Sequence, residues 1–451
     1  MAADRSESAA GGRAPSLALP TPGASTQLAN LAERVVRYGL PAIIATLPLE
    51  FTAQIIRLQL VRYVLLVVGL AFAYLVLTRR RTLAVPLGAS LVLVAAYAAA
   101  SVLSWLFTRA PGSGNSLLDV TAYPVVALLI VNLVRDEADL RRGWNTLLAS
   151  GLAFSVLGAF LYFSHVSIWR ADPDGFFRVN ATFGDPNIAA RFLILVACAG
   201  VLMYAARQRP SWLAVASVAS AAAVVPLTFS KSGYLVFVIA VLLAVPLATS
   251  WRRAASIAAG ALVVFTAVML INPPTRVRAA VSVGVVLGIE PYGGSNPLES
   301  KDSLGAGRVD PVRSYLIEAA WAMFRDHPVT GVGLGGYQNA IKTTYKGFLP
   351  TMNPIYLNHT SALTILAEQG VVGGLLFAGF LVFLTWEVVA PLRRRGRWRN
   401  WIVMPAVLII PIVVLAEFEG RLVEEPYLWL ALGLMFAARR LEGSVRSVEL
   451  P

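Results

Sequence analysis

Long apolar runs alternate with short polar connections along almost the whole chain, and the alternation fails once. The runs fall at about 35–51, 60–78, 84–107, 117–134, 143–164, 187–206, 211–229, 233–250, 254–271, 360–389, 401–416 and 425–438. About 20 apolar residues cross the hydrocarbon of a bilayer as a helix. Backbone groups in lipid must pair internally, and these runs are too long for barrel strands. The pattern predicts an all-α polytopic membrane protein of about twelve transmembrane helices.

The failure is a polar stretch, residues 272–358, between the ninth and tenth runs. Spanning a bilayer requires no such insertion, so it points to chemistry at one surface. Within it, residues 275–289 are expected to form a short interfacial helix, and 290–309, rich in Gly, Ser and Pro, an irregular loop. Asp310-Pro311 reads as a helix start, with Asp as N-cap and Pro at the first helical position. Val312, Leu316, Ala319, Met323 and Phe324 follow at helical spacing, giving an amphipathic helix to about Arg325. His327 to Tyr337 is a glycine-rich turn that follows a helix rather than a strand, which argues against a dinucleotide loop. The expected organisation is a disordered tail at 1–33, helices one to nine over 34–271, the loop over 272–358, helices ten to twelve over 359–440 and a second tail at 441–451.

Composition agrees: of 451 residues 57% are hydrophobic and 14% charged, against about 25% charged in a soluble protein. The net charge of +13 is explained by basic loops of a membrane protein, not by nucleic-acid binding. A single cysteine, Cys198, excludes an internal disulfide. Alternate connections carry seventeen arginines, including Arg79–Arg81, Arg393–Arg395 and Arg439–Arg440, while the other short connections hold six basic residues. By the positive-inside rule both termini are then cytoplasmic and the long loop faces outward. All three histidines and all four lysines lie on that outward side. Asp185 reads as a helix cap, and Glu417, Glu419, Arg421, Glu424 and Glu425 are expected to pair with one another across the last outward connection.

His359 stands at the start of the tenth run, with Gly370 and Gly373 eleven and fourteen residues on. At about 100° per residue both return close to the His359 direction in an unbroken helix. A strip without side chains admits another helix or leaves a groove for a lipid or substrate. On the residues alone, His359 is either an interfacial histidine or an ionisable group over such a groove.

His359-Thr360, nine residues, then Gly370-Val371-Val372-Gly373 resembles the signature of the O-antigen ligase and polymerase family, with Thr360 where its ligases have Asn, Ser or Gln. Arg313 with Asp326-His327-Pro328-Val329-Thr330-Gly331-Val332-Gly333 is similar to that family's arginine-bearing helix and loop. Leu227 to Gly233 resembles a further segment, with Lys231 replacing its usual arginine, and Phe183 to Asn187 resembles its stretch ahead of a helix. The resemblance implies a metal-independent glycosyltransferase of the GT-C type in the bacterial inner membrane. It needs no cofactor and takes a glycan from undecaprenyl diphosphate at the periplasmic face. Ligases pass the glycan to a lipid A core sugar in lipopolysaccharide biosynthesis; polymerases pass it to another repeat unit.

Such a reaction must deprotonate an acceptor hydroxyl and stabilise a leaving diphosphate. A histidine suits the first task and fixed cations the second. His359 is therefore expected as general base or acceptor-positioning residue, Arg313 and Lys231 as diphosphate ligands, Arg178 as a third cation, and Gly370 and Gly373 as lining the substrate groove. Donor, acceptor and membrane lipids are the expected partners, with no nucleic acid, and the chain acts as a monomer because it supplies every proposed group. A transporter for polysaccharide precursors or anions is the reading from another class. It fits less well, since such proteins place polar groups at the midplane, often in related halves.

Overall fold

The computed structural model describes residues 24–56, 58–85, 89–111, 113–166, 168, 178–286, 311–349, 360–393, 396–420 and 422–449. These fold into sixteen α-helices: α1 (Ala24–Thr46), α2 (Thr52–Ile56), α3 (Leu60–Leu77), α4 (Ala89–Thr108), α5 (Ser113–Leu133), α6 (Glu137–Ser164), α7 (Pro186–Ala205), α8 (Ser211–Val224), α9 (Lys231–Leu247), α10 (Trp251–Ile271), α11 (Pro273–Val286), α12 (Pro311–Asp326), α13 (Tyr337–Lys342), α14 (Ser361–Leu392), α15 (Arg399–Glu419) and α16 (Pro426–Glu449). A helix stands at each of the twelve apolar runs. Among the described residues, nine are long and apolar enough to cross a membrane, and α9 is apolar but shorter. α1 begins at Ala24, inside the segment read as a tail; residues 24–33 contain neither Gly nor Pro, and Glu33 pairs with Arg81 at the foot of α3. α16 likewise continues to Glu449, through the second expected tail.

Local chemistry sets several boundaries. The Asp136 carboxylate accepts from the Asp139 amide and starts α6, and Asp185 accepts from the Asn187 amide at 2.7 Å ahead of Pro186, the capping role read from the sequence. Ser230 does the same for α9, accepting from Gly233 N–H at 3.1 Å. α7 is the central post: nearly all of its residues from Ala189 to Ala205 are buried. Neighbours approach it closely at glycine. A Cβ on Gly151 of α6 would lie 2.4 Å from Val196, and one on Gly200 the same distance from Val218 of α8.

Hydrogen bonds sort the connections into two ends. At one, Asn132 exchanges bonds with the Ala84 backbone at 2.8 and 2.9 Å, Arg397 bonds Glu137 at 2.7 Å, and Arg439 pairs with Glu387. That is the arginine-rich set. At the other, the Phe51 amide donates to Thr182 O at 2.9 Å, Val179 N to Leu227 O at 2.9 Å, and Asn272 Nδ2 to the Tyr162 hydroxyl at 3.0 Å. There too Leu334 N donates to Ser104 Oγ at 3.1 Å, and Ser361 Oγ to Ala416 O at 3.0 Å. This second end carries the polar insertion.

Candidate functional site

The second end is assembled from three groups of residues. The first surrounds the start of α9. After α8 the chain makes a tight turn at Pro226–Thr228, passes through Phe229 at φ 54°, and enters α9 at Lys231. The segment ahead of α7 crosses over this turn. Val179 N is bonded to Leu227 O, and Arg178 Nε donates to Thr228 O at 3.0 Å, three residues before Lys231. Arg178 also reaches Asn187 Oδ1 at 3.5 Å. Tyr234 follows one turn after Lys231, on the same face, and its hydroxyl donates to Pro226 O at 2.6 Å. Its electrostatic neighbours are Arg178, Tyr162 and Arg278 of α11. Two of the expected cations, Arg178 and Lys231, therefore share one neighbourhood with the positive end of α9. Arg278 joins them. Sequence reasoning passed over it as one arginine of an interfacial helix, and only the return of α11 beside α10 brings it here.

The second group is the insertion itself. α12, α13 and the first turns of α14 enclose a small core of their own: Leu316, Ala319, Ala320, Met323, Tyr337, Ala340, Ile341, Tyr345 and Ala367 are all buried. The predicted amphipathic helix is thus present, starting at Pro311 and ending at Asp326, and Arg313 lies in its first turn. The Arg313 side chain, the expected N-cap Asp310 and the expected irregular stretch 290–309 lie outside the described residues. So does His359; Thr360, the next residue, stands at the N-cap position of α14.

Residues 327–336 clasp α14. Val332 N donates to Ala367 O and Gly333 N to Glu368 O, each at 2.8 Å, and Val371 N donates to Pro328 O at 2.8 Å. The Glu368 carboxylate takes Gly335 N–H at 2.8 Å and Tyr337 N–H at 3.1 Å, so it anchors the glycine-rich turn and the start of α13. Gly370 sits at φ 60°, ψ −156°, where α14 kinks. A Cβ there would lie 2.4 Å from the Val329 carbonyl, and one on Gly373 would meet the Gln369 side chain at 2.4 Å. Gln369 is buried and bonded to the Tyr97 hydroxyl at 2.9 Å on α4.

The expected alignment of His359 over Gly370 and Gly373 assumed one unbroken helix. The helix starts only at Ser361 and changes direction at Gly370, so the helical phase does not carry across. The space over both glycines is filled by the chain itself, by loop backbone at Gly370 and by Gln369 at Gly373. Glu368 is the residue that grips the loop.

The third group is a buried ion pair. Arg191, 2% exposed on α7, pairs with Glu425 ahead of α16, whose side chain is 7% exposed. The charges of the last connection were expected to pair among themselves. Glu425 instead reaches inward to an arginine that sits within an apolar run and was assigned no role. Arg421 and the Glu419 side chain lie outside the described residues. Among the described residues, no three His, Cys, Asp or Glu side chains converge as metal ligands would.

The insertion also holds two perturbed phenols. Burial raises the Tyr337 hydroxyl above its ordinary range. Tyr345 is pushed up to about 12 by burial and by its hydrogen bond to Asp326, at 2.8 Å.

Residues 215–378 match the family model of the O-antigen ligase. The matched stretch runs from α8 into the middle of α14 and contains Lys231, Arg313, His359, Gly370 and Gly373; Arg178 and the Phe183–Asn187 segment precede it. A search of curated proteins found no match.

Proposed function

Proceeding from the O-antigen ligase domain that this polytopic helical protein carries, we propose that it is a glycosyltransferase acting on a lipid-linked glycan. It lies in the inner membrane with both termini in the cytoplasm and the second end facing the periplasm, as the arginine bias favours. The donor is a glycan on undecaprenyl diphosphate and the acceptor a hydroxyl of a lipid A core sugar. Arg178 and Lys231 hold the diphosphate, with Arg313 entering from α12. His359 accepts the hydroxyl proton as the acceptor oxygen bonds to the anomeric carbon. The anomeric carbon–oxygen bond to phosphate breaks, and its electron pair leaves with the diphosphate. Fixed cations stabilise that growing charge more in the transition state than in the ground state.

The observation that carries this reading is the bond from Arg178 to Thr228 O, which fixes a guanidinium at the turn leading Lys231 into α9. Two cations from segments far apart in sequence suit a diphosphate better than a single headgroup contact. The test is glycan transfer in membranes from an undecaprenyl-diphosphate donor, comparing wild type with His359→Ala and Lys231→Ala at equal expression. Loss of transfer in both, with Lys231→Arg retaining it, supports the reading. A lipid A core acceptor gives one discrete product and a second donor gives a ladder, which separates ligase from polymerase. Unchanged transfer in both alanine variants overturns the assignment of the residues; no transfer by wild type to either acceptor overturns the reaction.

A further inference from the structure

α12 presents a second apolar face that its own core leaves uncovered. Leu316, Ala319, Ala320 and Met323 turn into the small core. On the other side, Ile317 is 41% and Trp321 46% exposed, with half-buried Phe324 one turn further and its ring 5.4 Å from that of Trp321. These residues recur at helical spacing, and Val329, 59% exposed, lies three residues past the helix end.

The depth of this patch follows from α14. Beyond the kink at Gly370 that helix runs 22 residues, from Val371 to Leu392, about 33 Å at 1.5 Å per residue and close to the roughly 30 Å of a hydrocarbon core. Its far end runs into Arg393 at the arginine-rich end. About 30 Å measured back from there ends near Gly373, and apolar Leu375, Val382 and Trp386 are exposed along that length, as lipid-facing residues are. Gly370 and Val371 therefore lie at the rim of the hydrocarbon. Val371 N is bonded to Pro328 O, so Pro328 and Val329 are fixed at the same depth, two residues beyond the end of α12. Phe324 and Trp321 lie about 3 and 8 Å along the helix axis from Asp326, which is two residues from Pro328, so they stay within about 10 and 15 Å of that level whichever way α12 leans. Tryptophan is enriched at that depth, where an amphipathic ring meets both headgroups and acyl chains.

We propose that the outer face of α12, centred on Trp321 with Phe324 and Val329, seats in the headgroup boundary of the bilayer. It docks the insertion onto the lipid surface and places the helix that bears Arg313 at the membrane plane. The partner is the phospholipid surface. The inference depends on the fold alone and survives or fails independently of the transferase reading.

The test uses the lone native cysteine to advantage: Cys198 is buried, so one introduced cysteine is the reactive thiol. Spin labels go on Trp321→Cys, Val329→Cys and, as an exposed reference, Thr343→Cys, in full-length protein in phospholipid nanodiscs. Power saturation then compares molecular oxygen, which partitions into lipid, with a nickel chelate, which stays in water. The expected result is an oxygen-to-nickel accessibility ratio several-fold higher at 321 and 329 than at 343. A water-like ratio at 321 and 329 overturns the proposal, and so does spin–spin broadening from a second copy of the chain. All three positions are exposed, and the 343 reference reports whether the insertion keeps its fold.

Discussion

The helical bundle and the insertion are both built on α-helices, yet they are held by different forces. The bundle packs around α7, which buries nearly all its surface, through apolar contact and close approach at Gly151 and Gly200. Among the described residues the insertion has a core of ten buried side chains, and it hangs on α14 by backbone hydrogen bonds, the Glu368 carboxylate and a glycine that lets two backbones touch. Apolar packing tolerates local repacking. A clasp of directed bonds does not, so single changes in the insertion should act sharply and locally. Lys231 and Arg178 belong to the bundle, while Arg313 is carried by the separately cored insertion.

The comparison breaks most visibly at the one place where the bundle also depends on directed bonding. Glu425→Leu strands the Arg191 cation, and losing one partner of a buried pair costs about 3–5 kcal/mol. Thermal unfolding in detergent should fall by several degrees, and the double variant Arg191→Met with Glu425→Leu should recover most of the loss. No recovery would mean that the carboxylate serves something other than the arginine. Next in size is Gly370→Ala. Its Cβ would strike the Val329 carbonyl at a positive φ that alanine resists, costing about 2–4 kcal/mol of insertion docking. Amide exchange should rise across 327–345 while the α7 region stays protected. A uniform rise in both regions would erase the distinction between them.

What the sequence disclosed follows the same division. A helix at each of the twelve runs was legible because hydrophobic runs report on lipid and on core alike, though among the described residues nine are long and apolar enough to cross a membrane; the two ends were legible because arginines gather at one of them. Asp185 as a cap and α12 as an amphipathic helix are local properties, visible in residues 185–187 and in the spacing from Leu316 to Met323. The clasp was not legible. Gly370 bends α14, and a helical-wheel argument carried through that bend could not show that loop backbone fills the space over this glycine. Arg278 and Arg191 were missed for a related reason: each gains its meaning from a partner more than forty residues away.

Glu368 tests the clasp with a smaller change. Glu368→Ala removes an ionised acceptor shared by two amides, worth about 1.5–3 kcal/mol, and should raise exchange over 331–345. Glu368→Gln keeps one acceptor oxygen and should fall between wild type and alanine. If alanine leaves exchange in that segment unchanged, the backbone bonds alone hold the loop.

The finest distinction is a pH effect confined to the insertion. Tyr345 is held at about 12, against an ordinary value of about 10 in the unfolded chain, because burial and the Asp326 carboxylate both disfavour the phenolate. The docked state thus binds the proton more tightly. Its contribution is fully present below about pH 10 and is lost as pH rises through 12. A spin label at Thr343→Cys should report growing mobility over that window in nanodiscs. Tyr345→Phe should start more mobile, having lost the bond to Asp326, and titrate less steeply, with Tyr337 supplying the remainder. A label on the bundle should not respond to either change. If its mobility follows the same curve, the insertion has no separate cooperativity and the two regions unfold as one.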